Sequence, residues 1–413
     1  MPHRILIIVI CLCFSFPGKS QNLDSLFAGG KTAYDSGRLE QAINYFHKFE
    51  EVRDNYPPVV MYLAMLYSRT DEERKACEYL TSVAVMNADT AFLNRSDFDK
   101  IRDSESFKHI EKTFEYMLDS VRHSEYAFSP GKKSMHPEAL AYDAERSRFF
   151  IGSIRLRSIF VYESGRSYAF KAEAEDSLLA VTGLAIDREE GLLWVASANL
   201  PQMRIQEDGA QGSFVHVYDI MSGSLLRRFH LADDVLLGDL IVGKRGEAYM
   251  TNSRSPEIYM GSIDSVNLWK SFPNLLNLQG IAEGNTGEIF FSDYIHGIYR
   301  IYQDSLQKIS NPDTISVKGI DGLYYRKGNL IGIQNGVFPK RVTQFTLDEE
   351  HRKIIGTVYL DKNLPDMDEP VQGAWVGDWF YFIANSPWGF YDDQYNLSGD
   401  VPEPEVWRTN LAR

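Results

Sequence analysis

The sequence is poor in cysteine, and its few cysteines are badly placed for crosslinks. Of three cysteines, Cys11 and Cys13 lie close to the N-terminus, and Cys77 stands alone in the rest of the chain. If the first two are removed by processing, no internal disulfide can form, so stability must come from the hydrophobic core. Long hydrophobic runs are also missing after residue 20. Because a membrane-spanning helix needs about 20 apolar residues, we expect no membrane span there.

Positive charge is scarce and scattered. The chain carries 43 Lys and Arg against 57 Asp and Glu, a formal net charge of −14, and contains no basic cluster. Proteins that bind nucleic acid or anionic membranes rely on clustered positive charge. We therefore expect no nucleic-acid partner.

Several catalytic signatures are absent as well. The sequence has no Gly-rich phosphate loop followed by Lys-Ser or Lys-Thr, no Gly-x-Ser-x-Gly, no His-Glu-x-x-His and no Cys-x-x-Cys. This excludes nucleotide-driven enzymes, serine hydrolases and zinc proteases in their usual forms.

Residues 1–20 have the pattern of a secretory signal peptide. Arg4 precedes the apolar stretch 5–16, and small or turn-forming residues follow up to Ser20. We predict cleavage after Ser20 and export of the remaining chain. The sequence leaves open whether the destination is the periplasm or the exterior.

Residues 21–120 show helical periodicity with an internal repeat. Ala42 follows Gly30 by twelve positions, and Ala76 follows Ala64 by twelve. The step from Ala42 to Ala76 equals the period of the tetratricopeptide repeat, which the pattern resembles. In that repeat, small residues let paired helices approach closely. The resemblance predicts an α-helical domain that serves either as a peptide-binding groove or as a structural cap.

From residue 121 to 413 the periodicity changes to that of short β-strands. Six copies of one pattern recur, with aligned apolar positions at Leu140, Leu184, Leu240, Ile281, Leu323 and Ala374. Successive copies are separated by about 40–55 residues, and a comparable period with four strands per copy is typical of a propeller blade. We predict a mainly β chain with a six-bladed β-propeller, closed by a strand near residues 125–129 that pairs with the last blade.

One position in each copy should line the central channel. Two residues before each apolar position, the ring reads Glu138, Thr182, Gly238, Gln279, Asp321 and Gln372. Carboxylate and amide oxygens are the ligands that Ca²⁺ prefers, so the ring is a candidate cation site. A water-filled channel lined by polar groups is the alternative. Thr182 and Gln372 are also candidate substrate-binding residues.

A second set of polar residues follows where the second strand of each copy returns to the same face. It comprises Ser153, Asn199, Asn252, Asp293, Asn335 and Asn385. Such residues bond to their own backbone in turns, or they reach the channel mouth, where Asn252 and Asn335 are candidate substrate contacts. In the last copy, Trp388 and Tyr391 are candidates for stacking on a sugar or another flat ligand, with burial between blades as the alternative.

The repeats resemble the senescence-marker-protein/gluconolactonase group, which includes regucalcin. The match rests on Glu138 before the first inner strand and on the pair Asp321-Gly322 before a later one. The resemblance implies that both residues bind a divalent cation, and that Asp321 transfers protons. Two family asparagines are replaced, one by Gly238 beside Asp239 and the other by Gln279. The implied metal ligands are therefore Glu138, Gln279, Asp321 and Asp239, with calcium as the first expectation.

Two functions remain open on the sequence. The first is an exported, metal-dependent hydrolase of a lactone or ester at the central channel, where a sugar-like ligand is also conceivable. The second is a non-catalytic exported interaction protein, whose helical repeats and propeller face bind partner proteins. His136, two residues before Glu138, would share its strand face as a proton-transfer assistant or as a packing residue.

Overall fold

The computed structural model describes residues 20–54, 56–207, 209 and 211–411. The predicted signal peptide lies outside these residues up to position 19. The chain divides into two compact units. The first contains the residues up to Asp119, together with the segments 311–316 and 336–339. The second comprises Ser120–Ser310, Val317–Asn335 and Lys340–Arg413.

The described residues of the first unit form five α-helices. They are α1 (Ser20–Asp35), α2 (Leu39–Glu50), α3 (Pro57–Arg69), α4 (Glu73–Met86) and α5 (Glu105–Leu118). Helices α1 and α2 pack closely because Gly30 has no side chain: a Cβ there would lie 2.6 Å from the Phe46 ring. Pro57 starts α3, where a missing N–H costs nothing, and the Ser104 hydroxyl caps α5 by accepting from the Phe107 N–H. None of the described helices is long and apolar enough to cross a membrane.

The second unit is a six-bladed β-propeller, which confirms the predicted fold class. The first three blades are antiparallel four-stranded sheets. Blade 1 consists of β3 (Pro137–Asp143), β4 (Arg148–Ser153), β5 (Ser158–Glu163) and β6 (Arg166–Lys171). Blade 2 consists of β7 (Ala180–Asp187), β8 (Leu192–Ala198), β9 (Ser213–Asp219) and β10 (Leu225–His230). Blade 3 consists of β11 (Leu237–Val242), β12 (Ala248–Asn252), β13 (Glu257–Gly261) and β14 (Val266–Ser271).

The last three blades follow the same plan, and two of them include an N-terminal strand. Blade 4 consists of β15 (Leu278–Glu283), β16 (Ile289–Asp293), β17 (Gly297–Tyr302) and β18 (Ser305–Lys308). Blade 5 consists of β19 (Ile320–Arg326), β20 (Asn329–Gln334), β21 (Arg341–Leu347) and β22 (Ile354–Lys362), with β1 (Val121–Arg122) as a fifth strand. Blade 6 consists of β23 (Gly373–Val376), β24 (Trp379–Ile383) and β25 (Val406–Asn410), completed by β2 (Glu125–Phe128).

Strand β2 closes the ring, as the sequence predicted. It pairs antiparallel with β25, so a strand from the start of this unit completes its last blade. This arrangement covers a strand edge that would otherwise be open to pairing with another chain.

Apolar cores lie between successive blades. One such core joins blades 1 and 2 through Phe150, Val161, Val181 and Tyr218. Another joins blades 5 and 6 through Ile333, Phe382 and Trp407. Because each blade buries both faces, its central strands are almost wholly apolar. Polar side chains at the strand starts therefore stand out.

Candidate functional site at the channel

The ring residues predicted from the sequence lie at irregular strand starts. In β3, β7, β11, β15 and β19 the pairing with the neighbouring strand shifts register just at this position. The residues skipped by the shifts include Glu138, Thr182, Gly238, Gln279 and Asp321. A bulge of this kind turns a side chain out of the regular alternation. The sixth residue, Gln372, directly precedes β23.

Two observations show that the ring closes around one axis. The Gln372 amide Nε2 donates to the Thr182 carbonyl at 2.7 Å, joining blade 6 to blade 2 past blade 1. Tyr324, on β19, has its pKa raised by burial first and then by the charges of Asp239, Asp321 and Glu138. These three carboxyl groups belong to three different blades, so the fold brings together residues from distant parts of the chain.

Glu138 lies in a cage of donors on the blade 6 side of the channel. Its Oε2 accepts from the Trp388 indole N–H at 2.9 Å and from the Ser386 hydroxyl at 3.3 Å. Burial raises the pKa of Glu138 well above its ordinary value, and the charges of Asp321 and Glu369 add to this. The two donors act in the opposite direction but do not cancel the rise. The environment of Glu138 therefore favours the protonated form of its carboxyl more than water does.

Asp321 has a weaker set of partners. Its Oδ2 accepts from the Asn335 amide at 2.9 Å, and Asn335 in turn accepts from the Tyr294 hydroxyl at 3.0 Å. Burial, followed by the charge of Glu369, raises the pKa of Asp321 to about 7, against the lowering effect of Asn335. Asp321 therefore titrates near neutral pH, where a carboxyl can both take and release a proton.

Glu369 is a fourth carboxyl in this region, and the sequence did not indicate it. Its pKa is raised by burial, while the Lys340 ammonium lowers it. Lys340 contacts both Glu369 and Asp368, the latter at 2.8 Å. Glu369 also has a left-handed backbone conformation, with φ of 57°. It lies outside the six repeated positions, so periodicity had no means of finding it.

Asp239 and Gln279 are already engaged within the protein. The two Asp239 oxygens accept from the backbone N–H groups of Leu240 at 2.8 Å and Ile281 at 3.4 Å. Burial raises the pKa of Asp239 to about 8. The Gln279 Oε1 accepts from the Ser253 hydroxyl at 3.3 Å, and its Nε2 donates to Asn277 at 2.8 Å. Both side chains therefore serve the local backbone and loops.

The four residues implied as metal ligands do not fit a cation site as they lie. A ligand must offer a free, deprotonated oxygen, whereas Asp239 and Gln279 have theirs bonded. Within the described residues no group of three His, Cys, Asp or Glu side chains is placed to hold a metal ion. Calcium binding at the ring remains a prediction, and no catalytic step is derived through it.

The second polar set divides between the two roles that the sequence left open. Asn335 reaches Asp321, as described above. Asn252 is held in a turn, since its Oδ1 accepts from the Leu236 N–H at 3.0 Å and the Arg254 N–H at 3.1 Å. Asn385 is likewise bonded to the backbone of Glu403 and Glu405. Asn335 is thus the member of this set that the contacts connect to the channel carboxylates.

Trp388 and Tyr391 both lie beside the Glu138 cage. The Tyr391 hydroxyl is 2.7 Å from His136 Nδ1, and the His136 ring meets the Trp388 ring edge-on with centroids 4.5 Å apart. His136 is fully buried, its Nε2 has no hydrogen-bond partner, and that atom lies 3.9 Å from Glu138 Oε2. Burial lowers the pKa of His136 to about 3, so the ring is neutral.

Comparison with known proteins extends the description of the fold. No protein-family model matches the chain, and no curated protein matches its sequence. Among solved structures, a luciferin-regenerating enzyme is similar with a TM-score of 0.50 and 14% identity, covering 71% of this chain and 96% of that one. A gluconolactonase from Xanthomonas campestris has a TM-score of 0.47 and 10% identity, covering 70% and 96%.

A third similar structure is a putative oxidoreductase of the glucose dehydrogenase type from Thermus thermophilus. Its TM-score is 0.48 at 14% identity, covering 69% of this chain and 98% of that one. At such low identity these likenesses establish a shared fold only. Membership of the senescence-marker-protein/gluconolactonase group, and the tetratricopeptide character of the helices, remain predictions. The chemistry has to be argued from the residues of this chain.

Proposed function

We propose that the protein hydrolyses a lactone or ester at the channel, using Glu138 and Asp321 as an acid–base pair. The observation that carries the proposal is the position of these two carboxyl groups at bulged strand starts, where both residues are half-buried and the charge of Asp321 acts on Glu138. Two carboxyls whose environments separate their pKa values are the usual basis for dividing acid and base roles.

Each residue has a definite step in this reaction. Ionised Asp321 takes a proton from a water molecule as the water oxygen bonds to the carbonyl carbon. When the carbon–oxygen bond to the leaving group breaks, protonated Glu138 gives its proton to the departing alkoxide oxygen. The products are a carboxylic acid and an alcohol, which in a lactone are parts of one molecule. Trp388 and Ser386 orient Glu138, and Asn335 orients Asp321.

A panel of lactones and aryl esters tests this proposal. We expect Glu138→Gln and Asp321→Asn each to lower kcat/KM by about 10²- to 10⁴-fold, the range usual for loss of a general acid or base. Asp264→Asn, in an exposed turn between β13 and β14, is the matched control and should keep full activity. Turnover that survives in the Glu138→Gln/Asp321→Asn double variant would show that the reaction occurs elsewhere.

The cation is tested separately from turnover. Calorimetric titration of the parent protein with Ca²⁺ and Mn²⁺, repeated on the double variant, measures binding directly. Heat that disappears in the double variant would place a cation at the ring. Absence of heat in the parent would remove the cation from the reaction.

We further propose that the protein acts outside the cytoplasm. The support is the signal-peptide pattern around Arg4 and the apolar stretch 5–16. N-terminal sequencing of the protein recovered from the medium and from a periplasmic fraction tests this. A protein that retains residues 1–20 and stays in the cytoplasm would contradict it.

A partner-binding role is the second candidate, and one observation favours it. Helices α1 and α2 form a surface cavity of about 270 Å³, lined by Gly29, Thr32, Arg38, Gln41 and Tyr45 among others. Polar and aromatic side chains around an open cleft suit a peptide ligand. Capture of one partner by the full chain, lost with Arg38→Glu and retained with Arg227→Gln, would support this role. Equal capture by both variants would contradict it.

A further inference from the structure

Three segments form a wall next to Glu138 on the face where the inner strands begin. The first, residues 154–157, joins β4 to β5. Because Pro137 pairs with Ser153, it leaves the sheet at the Glu138 end. The second is the stretch 199–207, and the third is the long connection 384–405. All three contribute to one apolar cluster, through Ile154, Met203 and Trp388.

Arg155 in this wall has a guanidinium without a partner. Its Nε is buried and has no hydrogen-bond acceptor. Within the described part of the chain no carboxylate pairs with its side chain. A buried donor that makes no hydrogen bond costs free energy, and the cost is larger when the donor is charged. Within the described residues, this donor therefore contributes no hydrogen bond to the stability of the fold.

The neighbouring arginines provide the contrast. Arg157 is paired with Glu207, and Arg204 is paired with Glu173. The backbone carbonyl of Arg155 accepts from the Arg204 N–H at 2.9 Å, so Arg155 and Arg204 lie side by side. In a chain with net charge −14, the other two arginines of the wall each pair with a glutamate, whereas Arg155 pairs with none.

Arg155 also lies within electrostatic reach of the Glu138 cage. After burial, its positive charge is the next cause that lowers the pKa of His136. It also opposes the burial that raises the pKa of Tyr391. His136 supplies a second unpartnered atom in the same place, its buried Nε2. The charge of Arg155 thus acts on His136 and Tyr391, and the unpartnered His136 nitrogen lies 3.9 Å from Glu138 Oε2.

We propose that Arg155 binds a carboxylate of the substrate, so that the site accepts a lactone or ester carrying a second, free carboxylate. Hydrolysis of such a substrate rests on the function proposed above, whereas binding of its free carboxylate by Arg155 does not. The guanidinium presents a planar fork of N–H donors that matches a carboxylate with two parallel hydrogen bonds. No carboxylate of the described residues pairs with the Arg155 side chain, which leaves the arginine available to the ligand.

Turnover tests the specificity with two matched lactones. D-glucaro-1,4-lactone and D-glucono-1,4-lactone share a ring and differ by a carboxylate in place of a CH₂OH group. We expect the parent to prefer the first in kcat/KM by about ten- to a hundredfold, the ratio that one charge-assisted hydrogen-bonded pair supplies. Arg155→Gln should abolish the preference. Arg227→Gln, on the exposed outer strand β10, removes the same charge and should retain it.

Calorimetric binding of D-glucarate against D-glucitol, which has the same carbon skeleton and no carboxylate, tests the carboxylate site without turnover. Tighter binding of glucarate that Arg155→Gln removes would support the carboxylate site, even if neither lactone is hydrolysed. Equal affinities in the parent, or a preference unchanged in Arg155→Gln, would overturn it. If Arg155→Gln melts well below the parent, Arg155→Lys replaces it, because lysine keeps the charge and loses the fork. We expect Arg155→Lys to lose about tenfold in glucarate affinity.

Discussion

Replacing Asn335 with leucine should raise the pKa of Asp321. The Asn335 amide donates to Asp321 Oδ2 at 2.9 Å, and a donor of this kind stabilises the ionised form. A hydrogen bond to a charged group contributes about 1.5–3 kcal/mol. At about 1.36 kcal/mol per pKa unit, its loss raises the pKa by about one to two units. The midpoint should therefore move from about 7 in the parent to about 8 or 9 in the variant.

Carbon-13 NMR of protein labelled at the aspartate carboxyl carbon measures this midpoint. The Asp321 signal is the one missing from Asp321→Asn. Tyr294→Phe is the graded control, since it removes the hydroxyl that donates to Asn335 Oδ1 at 3.0 Å and leaves the amide in place. We expect that control to shift the midpoint by less than about one unit. An unchanged or lower midpoint in Asn335→Leu would refute the proposed balance between burial and this hydrogen bond.

Three further predictions concern other parts of the chain. Glu138→Gln removes a carboxyl whose raised folded-state pKa destabilises the parent as pH rises from about 4 through that pKa. Melting curves should therefore show that the variant gains stability relative to the parent between pH 5 and pH 9. An equal difference between the two proteins at both pH values would contradict this. Gly280→Ala places a Cβ 2.3 Å from the Leu323 backbone nitrogen, so denaturant unfolding should show that the free energy of unfolding falls by at least about 1–3 kcal/mol. The control Gly389→Ala, whose Cβ meets no atom within 4 Å, should change the free energy of unfolding little. Burial raises the pKa of the Cys77 thiol to about 11, so iodoacetamide at pH 8 should alkylate the folded protein about a hundredfold slower than the protein unfolded in urea. Equal alkylation rates in the two states would contradict this.

The resemblance and the repeats predicted Glu138 and Asp321 because their signal is repeated and local. Each occupies the same place in its copy, before a short apolar strand. Glu369 and its partner Lys340 carry no such signal, and the charge of Glu369 acts on Asp321 only because the loop before β23 passes close to β19. Arg155 was missed for the same reason, since a lone arginine in a connecting turn looks like any other surface arginine.

The predicted cation ligands show where the sequence argument stopped. Asp239 and Gln279 have the right chemistry and stand at the ring position or next to it. Their oxygens nevertheless bond to Leu240, Ile281 and Ser253. Whether a polar side chain is available to a ligand depends on which donors the register shift leaves beside it. Composition and spacing contain no information on that point.

The sequence by itself determined the number of blades, the closing strand and the positions that line the channel. A period of about 45 residues and an alternation of apolar strands with turns are properties of the chain that can be counted without any contact. The tertiary structure alone decided that the carboxyls of Glu138 and Asp321 have raised pKa values. Glu138 begins blade 1 and Asp321 begins blade 5, so they are far apart in the chain. Their raised pKa values arise from burial and from repulsion between carboxyls, which exist only once the ring has closed and brought their blades to one axis.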